Sequence, residues 1–528
     1  MTSRLEALPA ELLDLVVDLA GPHHLDRTSA GFKRSIKTYG AICLASRTLY
    51  SIGRPYLYRF IRTQDIGDKI QPLLRTLSRQ PSLAAQVKEL HLRPACDSST
   101  LMSSDDLDKC WPVVEKALGK DELLPRAQRA FTRGHGCRAW EMLLLLALTT
   151  KIKTLVYFID YSSFDETEPC IHCPDMEQVL KSILIAGSAS LYSRLTDARI
   201  VGTKTDGIAD TEHSILSPLM SMPNVTNLVG VSIRPGPARH FLCAPQTSNI
   251  SDLHLQECLL DTESLLRILS TCKALVRLCI DWGTRWHDRF LDTRAFHAEL
   301  LRHKSSLAAL TMSDANNAAL AYFQNGTTIL AKGLSQFHQL TTLHLDEVLL
   351  FGEVDWAEIP THELSGEYDL VLPPALREFT ISSQQDLRAL PNTISVIRSS
   401  LPASVRHVQI LFGSGADWAL KCKGYFLREF RQRRKPALQW IVRRTPRSAT
   451  QNNSSFSFHC WRTTHPVDIP LRDVLRLADN GGGADAVIDY LYPREAHKRC
   501  HCRDCAARPV GTASLRTDHL GNALAGTG

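Results

Sequence analysis

The sequence predicts an α/β fold in which short strands alternate with helices along an irregular solenoid. The first observation is a six-residue pattern, apolar-x-x-apolar-x-apolar, which recurs eight times along the chain. Each occurrence suits a short strand with one buried face. The second observation is the spacing from Leu253 onward, where successive middle apolar residues lie 25, 32, 33, 36 and 29 positions apart. A strand and a helix fit into such an interval, so the pattern favours a stack of strand–helix repeats.

The eight repeats share an apolar residue at each of the three pattern positions. Their middle residues are Leu90, Leu155, Leu253, Leu278, Leu310, Leu343, Phe379 and Val408. After the third repeat, Thr262 is suited to cap a helix that carries Leu265 and Ile268. The repeat that begins at Ile250 extends to Cys258 and so resembles the leucine-rich repeat, in which a cysteine or asparagine follows the strand. The other repeats lack that residue, and the resemblance therefore implies an irregular leucine-rich-repeat horseshoe.

The beginning of the chain predicts an amphipathic helix. Pro9 suits a first helical turn, where a missing N–H and a fixed φ are tolerated. Leu8, Leu12, Val16 and Leu19 then recur at spacings of three or four residues, and two further leucines widen the apolar face. An apolar face of this width on one short helix requires a partner surface.

The same opening segment, Leu8-Pro9-Ala10-Glu11-Leu12-Leu13, resembles the beginning of the F-box motif. The second half of that motif is matched by Ile42–Tyr50 and Pro55–Arg59. The connection between the halves, residues 21–40, is longer and more basic than the family usually has. The resemblance is to F-box-like leucine-rich-repeat proteins of the fungal type, and it covers only the N-terminal module.

This resemblance implies a docking function. The N-terminal helices would bind the small adaptor of an SCF-type cullin–RING ubiquitin ligase and, through it, the cullin. The solenoid would then recruit an unknown protein substrate on its concave surface and raise the substrate's effective concentration at the ligase. The residues that the resemblance places against the adaptor are Leu8, Pro9, Leu12, Leu13 and Val16, with Glu11 at the rim.

Two other interpretations remain open at this point. In the first, the chain is a leucine-rich-repeat scaffold for protein–protein interaction without a ligase, and the N-terminal helices cap the repeats. Terminal repeats need such a cap, and Leu12 and Val16 would then hide the apolar edge of the solenoid. In the second, the chain is an enzyme with an unrecognised site in the acidic segment Glu353–Tyr368.

The domain organisation follows from where the repeat pattern begins and fades. An insertion at residues 101–139 and an acidic loop at residues 162–174 interrupt the repeats. The expected segments are an F-box-like helical module at residues 1–62, a leucine-rich-repeat solenoid with inserted loops at 63–415, a C-terminal capping region at 416–495, and a disordered tail at 496–528.

The composition is that of an ordinary folded protein. The chain has 528 residues, of which 44% are hydrophobic and 22% charged, and its formal net charge of +6 gives no argument for nucleic acid. The longest apolar run, Met142–Leu148, is far shorter than the ~20 residues of a membrane span. No secretory leader is recognisable, so we expect the 15 cysteines to be reduced thiols and the protein to be cytoplasmic or nuclear.

No catalytic signature is present. The sequence has no phosphate-binding loop, dinucleotide fingerprint, zinc-protease helix or nucleophile elbow. We therefore predict no catalytic residues and no cofactor.

A cluster of potential zinc ligands lies near the C-terminus, at His497, Cys500, Cys502 and Cys505, and a second one at Cys170–Cys173. Because the first set crowds into one short segment next to the expected tail, we predict free thiols and no structural zinc site there.

The basic run at residues 428–447 has three interpretations. It is a nuclear import signal, a phosphate-binding patch or the solvated face of an amphipathic helix, and the interleaved Phe426, Phe430 and Leu438 favour the helix.

Overall fold

The computed structural model describes thirteen segments of the chain. They are residues 8–20, 29–93, 104–118, 138–159, 192–202, 204–205, 208–209, 211–282, 291–313, 333–351, 370–383, 400–412 and 439–444. The chain divides into two compact units, Met1–Phe412 and Gly413–Gly528. Within the described residues, the second unit contributes the strand Gln439–Arg444.

Several sequence predictions fall outside the described residues. They are the disordered tail, both cysteine–histidine clusters, the acidic loops at 162–174 and 353–368, and, apart from Gln439–Arg444, the C-terminal capping region and the basic run.

The helices of the first unit vary widely in length. They are α1 (Ala10–Ala20), α2 (Ser29–Ala45), α3 (Arg47–Arg59), α4 (Thr63–Ile66), α5 (Ile70–Arg79), α6 (Pro81–Ala84), α7 (Ser104–Leu118), α8 (Arg138–Leu148), α9 (Leu216–Met220), α10 (Thr262–Thr271), α11 (Thr293–Leu300) and α12 (Glu347–Phe351). Three-residue 3-10 helices lie at Gly67–Lys69, His213–Ile215, Ala238–His240, Leu301–His303 and Leu334–Gln336. Of the helices that the structure describes, none is both long and apolar enough to cross a bilayer.

The strands of the first unit form one long parallel sheet and two small two-stranded pairs. In chain order they are β1 (Phe60–Arg62), β2 (Glu89–Leu92), β3 (Thr154–Ile159), β4 (Asp197–Gly202), β5 (Lys204–Thr205), β6 (Ile208–Ala209), β7 (Thr211–Glu212), β8 (Asn227–Val231), β9 (Ile233–Arg234), β10 (Asp252–Cys258), β11 (Arg277–Trp282), β12 (Ala309–Ser313), β13 (Thr342–Asp346), β14 (Glu378–Ser383) and β15 (His407–Phe412). The long sheet runs β1-β2-β3-β4-β8-β10-β11-β12-β13-β14-β15, so its order is chain order. The small pairs are β5 with β6, antiparallel, and β7 with β9, parallel.

The register of the long sheet follows the repeated pattern. Leu253 lies opposite Leu278, Leu278 opposite Leu310, and Leu310 opposite Leu343. These four leucines are at most 1% exposed. The prediction that they share one core is therefore confirmed, as is the prediction of a strand at each of the eight repeats.

The repeated pattern did not predict two strands of the sheet. β4 and β8 carry Ala198 and Gly230 at pattern positions where the other repeats have large apolar residues. Both strands pair in register between β3 and β10. A small residue fits at position 230, because a Cβ there would lie 3.1 Å from Ile233 Cγ1.

The helix after β10 begins one residue earlier than the sequence predicts. Asp261, not Thr262, is the N-cap of α10, and its carboxylate accepts a hydrogen bond from the Ser264 amide at 2.9 Å. The Thr262 hydroxyl instead accepts a hydrogen bond from the Asp292 amide at 2.8 Å. Aspartate is at least as good an N-cap as threonine, so the preceding residue wins.

Candidate protein-interaction surface on the N-terminal helices

The helices α1, α2 and α3 pack against one another at the start of the sheet. Ser46 is the single residue between α2 and α3. Its hydroxyl accepts a hydrogen bond from the Leu49 amide at 3.1 Å and caps α3. The two helices approach closely at Gly53, since a Cβ there would lie 3.1 Å from Ile42 Cγ2 and 3.2 Å from Cys43 Sγ.

Polar contacts with α3 fix the rotation of α1. The Tyr56 hydroxyl donates to Asp14 Oδ1 at 3.0 Å, and Arg59 Nη1 lies 2.8 Å from Asp18 Oδ1. The Tyr39 ring of α2 stacks on Tyr56 with centroids 5.4 Å apart. Burial, followed by the hydrogen bond to Asp14, raises the pKa of Tyr56, and burial raises the pKa of Tyr39 to about 12. Both phenols therefore stay protonated at neutral pH.

The side of α1 that faces the protein's own core is narrow. Leu13 and Val17 are 2% and 1% exposed, respectively. Their spacing of four residues places them one above the other on the same face of the helix. These two side chains, together with the aspartates four residues apart, attach α1 to its neighbours.

The rest of α1 presents apolar side chains to solvent. The exposed set, called here the α1 apolar stripe, consists of Leu8 at 37%, Leu12 at 47%, Leu15 at 52%, Val16 at 41% and Leu19 at 73%. A single exposed leucine is unremarkable in a folded protein. Four on one short helix, at spacings that place them on one face, with Leu8 just before its first turn, form a surface of the kind that marks an interaction site.

The structure separates the residues that the resemblance places against an adaptor. Leu8, Pro9, Glu11, Leu12 and Val16 are exposed. Leu13 is buried in the protein's own core and offers no surface to a partner.

The exposed set also includes Leu15 and Leu19, which were not among the predicted contact residues. Both belong to the apolar periodicity of the opening helix, and that spacing could have identified them.

A second apolar corner lies at the junction of α2 and α3. Leu44 is 88% exposed and Tyr50 is 45% exposed, with the guanidinium carbon of Arg54 5.5 Å from the Tyr50 ring centroid. Ile36, on α2, is 40% exposed. Elsewhere in the described residues, large exposed apolar side chains are scattered singly, at Leu242, Val276 and Val371. Exposed apolar surface is thus concentrated on the N-terminal helices.

This arrangement suits binding to another protein. Asp14 and Asp18 of α1 and Tyr56 of α3 are engaged in contacts that hold the helices together. In the part of the chain that the structure describes, no group of three His, Cys, Asp or Glu side chains could hold a metal ion.

The capping interpretation assigned Leu12 and Val16 to the edge of the sheet. Both side chains are exposed, so neither hides an apolar edge. The link between the helices and the sheet is made by the backbone instead, because α3 ends at Arg59 and β1 begins at Phe60. The Arg59 carbonyl accepts a hydrogen bond from the Lys88 amide at 2.8 Å, which starts the ladder between β1 and β2.

Comparison with known proteins adds no relative to this description. No protein-family model matches the chain, and no curated protein matches it.

Proposed function

We propose that this protein is an F-box-like substrate receptor of an SCF-type cullin–RING ubiquitin ligase. Its N-terminal helices dock onto the ligase adaptor, and its sheet, taken as the inner wall of a leucine-rich-repeat solenoid, recruits a protein substrate. The protein itself is not an enzyme, and it acts in the cytoplasm or nucleus without contacting nucleic acid or membrane. The observation that carries the proposal is the α1 apolar stripe.

The energetics of the stripe favour a stable partner. Burying a leucine or valine side chain fully contributes roughly 1.5–3 kcal/mol. The protein leaves several such side chains in water on one helix, while Leu13 and Val17 already satisfy its own core. A partner that covers Leu12, Leu15, Val16 and Leu19 would gain only the share of this free energy that belongs to their exposed area, 41–73% of each residue. The helix would not need to reorganise, because Asp14 and Asp18 hold α1 in place.

The order of the sheet supports the recruiting part of the proposal. Strands that follow one another in the chain are neighbours in space, as expected for stacked repeats that each bury their apolar face against the next. A receptor built in this way performs no bond chemistry, and it works by holding its substrate near the ubiquitin-conjugating enzyme.

The alternative is a leucine-rich-repeat scaffold that binds other proteins without a ligase. The same exposed stripe would then bind a different partner. Binding to the purified adaptor distinguishes the two functions.

The decisive variant is Leu12→Asp combined with Val16→Asp. Both residues are exposed in the free protein, so the fold should tolerate the change, whereas two carboxylates buried against an apolar partner would cost several kcal/mol. We expect loss of adaptor binding in a pull-down with purified adaptor. Leu242→Asp, at a leucine that is 69% exposed far from α1 in the sequence, is the matched control and should bind normally. Undiminished binding of the double variant would refute the F-box assignment.

A further inference from the structure

An exposed arginine, Arg199, lies on the face of the long sheet that is opposite the core. Along each strand, side chains alternate between the core and the opposite face, here called the outer face. On β4, Ala198 and Ile200 are buried, while Arg199 between them is exposed. The register places Arg199 opposite Val156 of β3 on one side and opposite Val229 of β8 on the other.

Among the described residues, Arg199 makes no hydrogen bond or ion pair. Its nearest carboxylate in sequence, Asp197, accepts a hydrogen bond from the Asn227 side-chain amide at 2.5 Å. Two strands along the sheet from β8, Arg277 is paired through both carboxylate oxygens with Asp252. Arg62 of β1, on the same face, is paired with Asp65. In the strands of the first unit that the structure describes, the outer face thus contains two paired guanidiniums and the unpaired one of Arg199.

Apolar side chains surround the unpaired guanidinium. Phe158 lies opposite Val201, and Val201 opposite Val231, two residues along the strands from Arg199 on the same face. Phe158, Val201, Val229 and Val231 are each half-buried. Arg199 together with these four residues is called here the Arg199 surface. Arginine and phenylalanine are both enriched at protein–protein interfaces, and the three valines add apolar contact area.

We infer that the Arg199 surface binds a segment of a partner protein in which an acidic side chain lies next to a bulky apolar one. The carboxylate pairs with Arg199 in a bidentate arrangement, and the apolar side chain packs on Val229 and Val231. Once the partner's apolar side chain excludes water from this surface, the local dielectric falls and the pair becomes stronger than one in open water. This inference rests on the proposed function in one respect, namely that the segment belongs to the recruited substrate.

The neighbouring outer-face residues argue against a nucleic acid at this surface. Binding to a phosphate backbone requires several cations along its path. At the next strand, β10, the outer face presents Asp252, His254 and Gln256 in place of further arginines or lysines. A single carboxylate with an apolar neighbour matches one arginine in an aliphatic setting.

The test starts from random peptides displayed on phage and selected on the immobilised full-length chain. Selected peptides are synthesised, and their binding is measured by fluorescence anisotropy. We expect the selected sequences to pair Asp or Glu with an adjacent large apolar residue. Arg199→Glu should weaken their binding at least about tenfold. Val229→Thr, which keeps the β-branched shape, should weaken it by a smaller factor.

The matched control is Arg377→Glu, which reverses the charge of another exposed arginine next to a strand of the same sheet. It should leave peptide binding within about twofold of wild type. A peptide whose acidic residue is replaced by lysine should bind Arg199→Glu better than wild type. Selected peptides without acidic residues, equal binding by Arg199→Glu, or no selected binder would overturn the inference. Adaptor binding by Arg199→Glu, measured in parallel, should be unchanged. If wild type itself does not bind the adaptor, the ligase proposal fails, while the result with the peptides still stands.

Discussion

Adjacent residues of the opening helix have opposite environments. Leu12 is 47% exposed and Leu13 is 2% exposed. Apolar spacing correctly predicts a helix here, but the wide apolar face is compatible with several rotations against the rest of the protein. The rotation is set by Asp14 and Asp18, which bind Tyr56 and Arg59 more than forty positions later in the chain. That long-range pairing is invisible in the periodicity, so the sequence predicted the stripe but not which leucine is buried.

A pair of alanine substitutions tests this assignment. Leu13→Ala should lower the free energy of unfolding by about 2–5 kcal/mol, because it leaves a cavity in a packed core. Leu12→Ala should change it by no more than about 0.5 kcal/mol, because the side chain is exposed. Urea denaturation followed by circular dichroism measures both. Equal losses for the two variants would mean that α1 has a different rotation.

His344, on the outer face of β13, predicts a pH-dependent stability. Burial lowers its pKa to about 4, compared with the ordinary value of 6.5. Between these values the unfolded chain binds the proton more readily than the folded protein, so stability is highest above pH 6.5 and falls as the pH drops toward 4. Between these two pKa values, the free energy of unfolding falls by about 1.4 kcal/mol for each unit that the pH drops.

Unfolding free energies measured by urea denaturation at pH 7.5 and pH 5 check this prediction. Wild type should lose more stability between the two than His344→Gln, which has no titrating imidazole. Other histidines, such as His254, His297 and His303, also have lowered pKa values because of burial, so the variant should retain part of the dependence. An identical loss for wild type and His344→Gln would contradict the assignment.

At the scale of elements, small residues account for the strands that were missed. The repeated pattern predicted β2, β3 and the strands from β10 to β15, since their core positions are large and apolar. β4 and β8 have Ala198 and Gly230 at core positions, and a search for apolar residues passes over both. Their place in the sheet is instead determined by pairing with β3 and β10, which a single sequence does not display.

Gly230 provides a test at this scale. Gly230→Val raises the strand propensity of β8, yet its Cβ would lie 3.1 Å from Ile233 Cγ1 and 3.4 Å from Leu255 Cδ2. We expect overpacking to win and to destabilise the protein by about 1–3 kcal/mol.

Gly40, in α2, is the contrasting position, because a Cβ there meets no atom within 4 Å. Gly40→Ala should stabilise the helix by about 0.5–1 kcal/mol. Thermal unfolding of both variants checks the pair. A Gly230→Val protein that is more stable than wild type would show that the core next to β8 can accommodate the larger side chain.

At the scale of the whole first unit, the helices α1 to α3 and the long sheet are one continuous structure. β1, the last three residues of the sequence-predicted helical module, pairs with β2 in the long sheet. Arg54 of α3 also hydrogen-bonds the Gln80 side chain, which joins the helices to the segment before β2. A partner on α1 and a partner on the sheet would therefore be held on one frame, as the proposed receptor requires.

Hydrogen–deuterium exchange of the full-length chain, with and without the purified ligase adaptor, tests the central claim most directly. The proposed docking mode predicts slower amide exchange in α1 (Ala10–Ala20) when the adaptor is added, with protection extending to the α2–α3 corner around Leu44 and Tyr50. Exchange in β3, β4, β8 and β10 to β13 should not change, since the proposal reserves the sheet for the substrate. Protection confined to those strands, or no protection anywhere at saturating adaptor, would contradict the account.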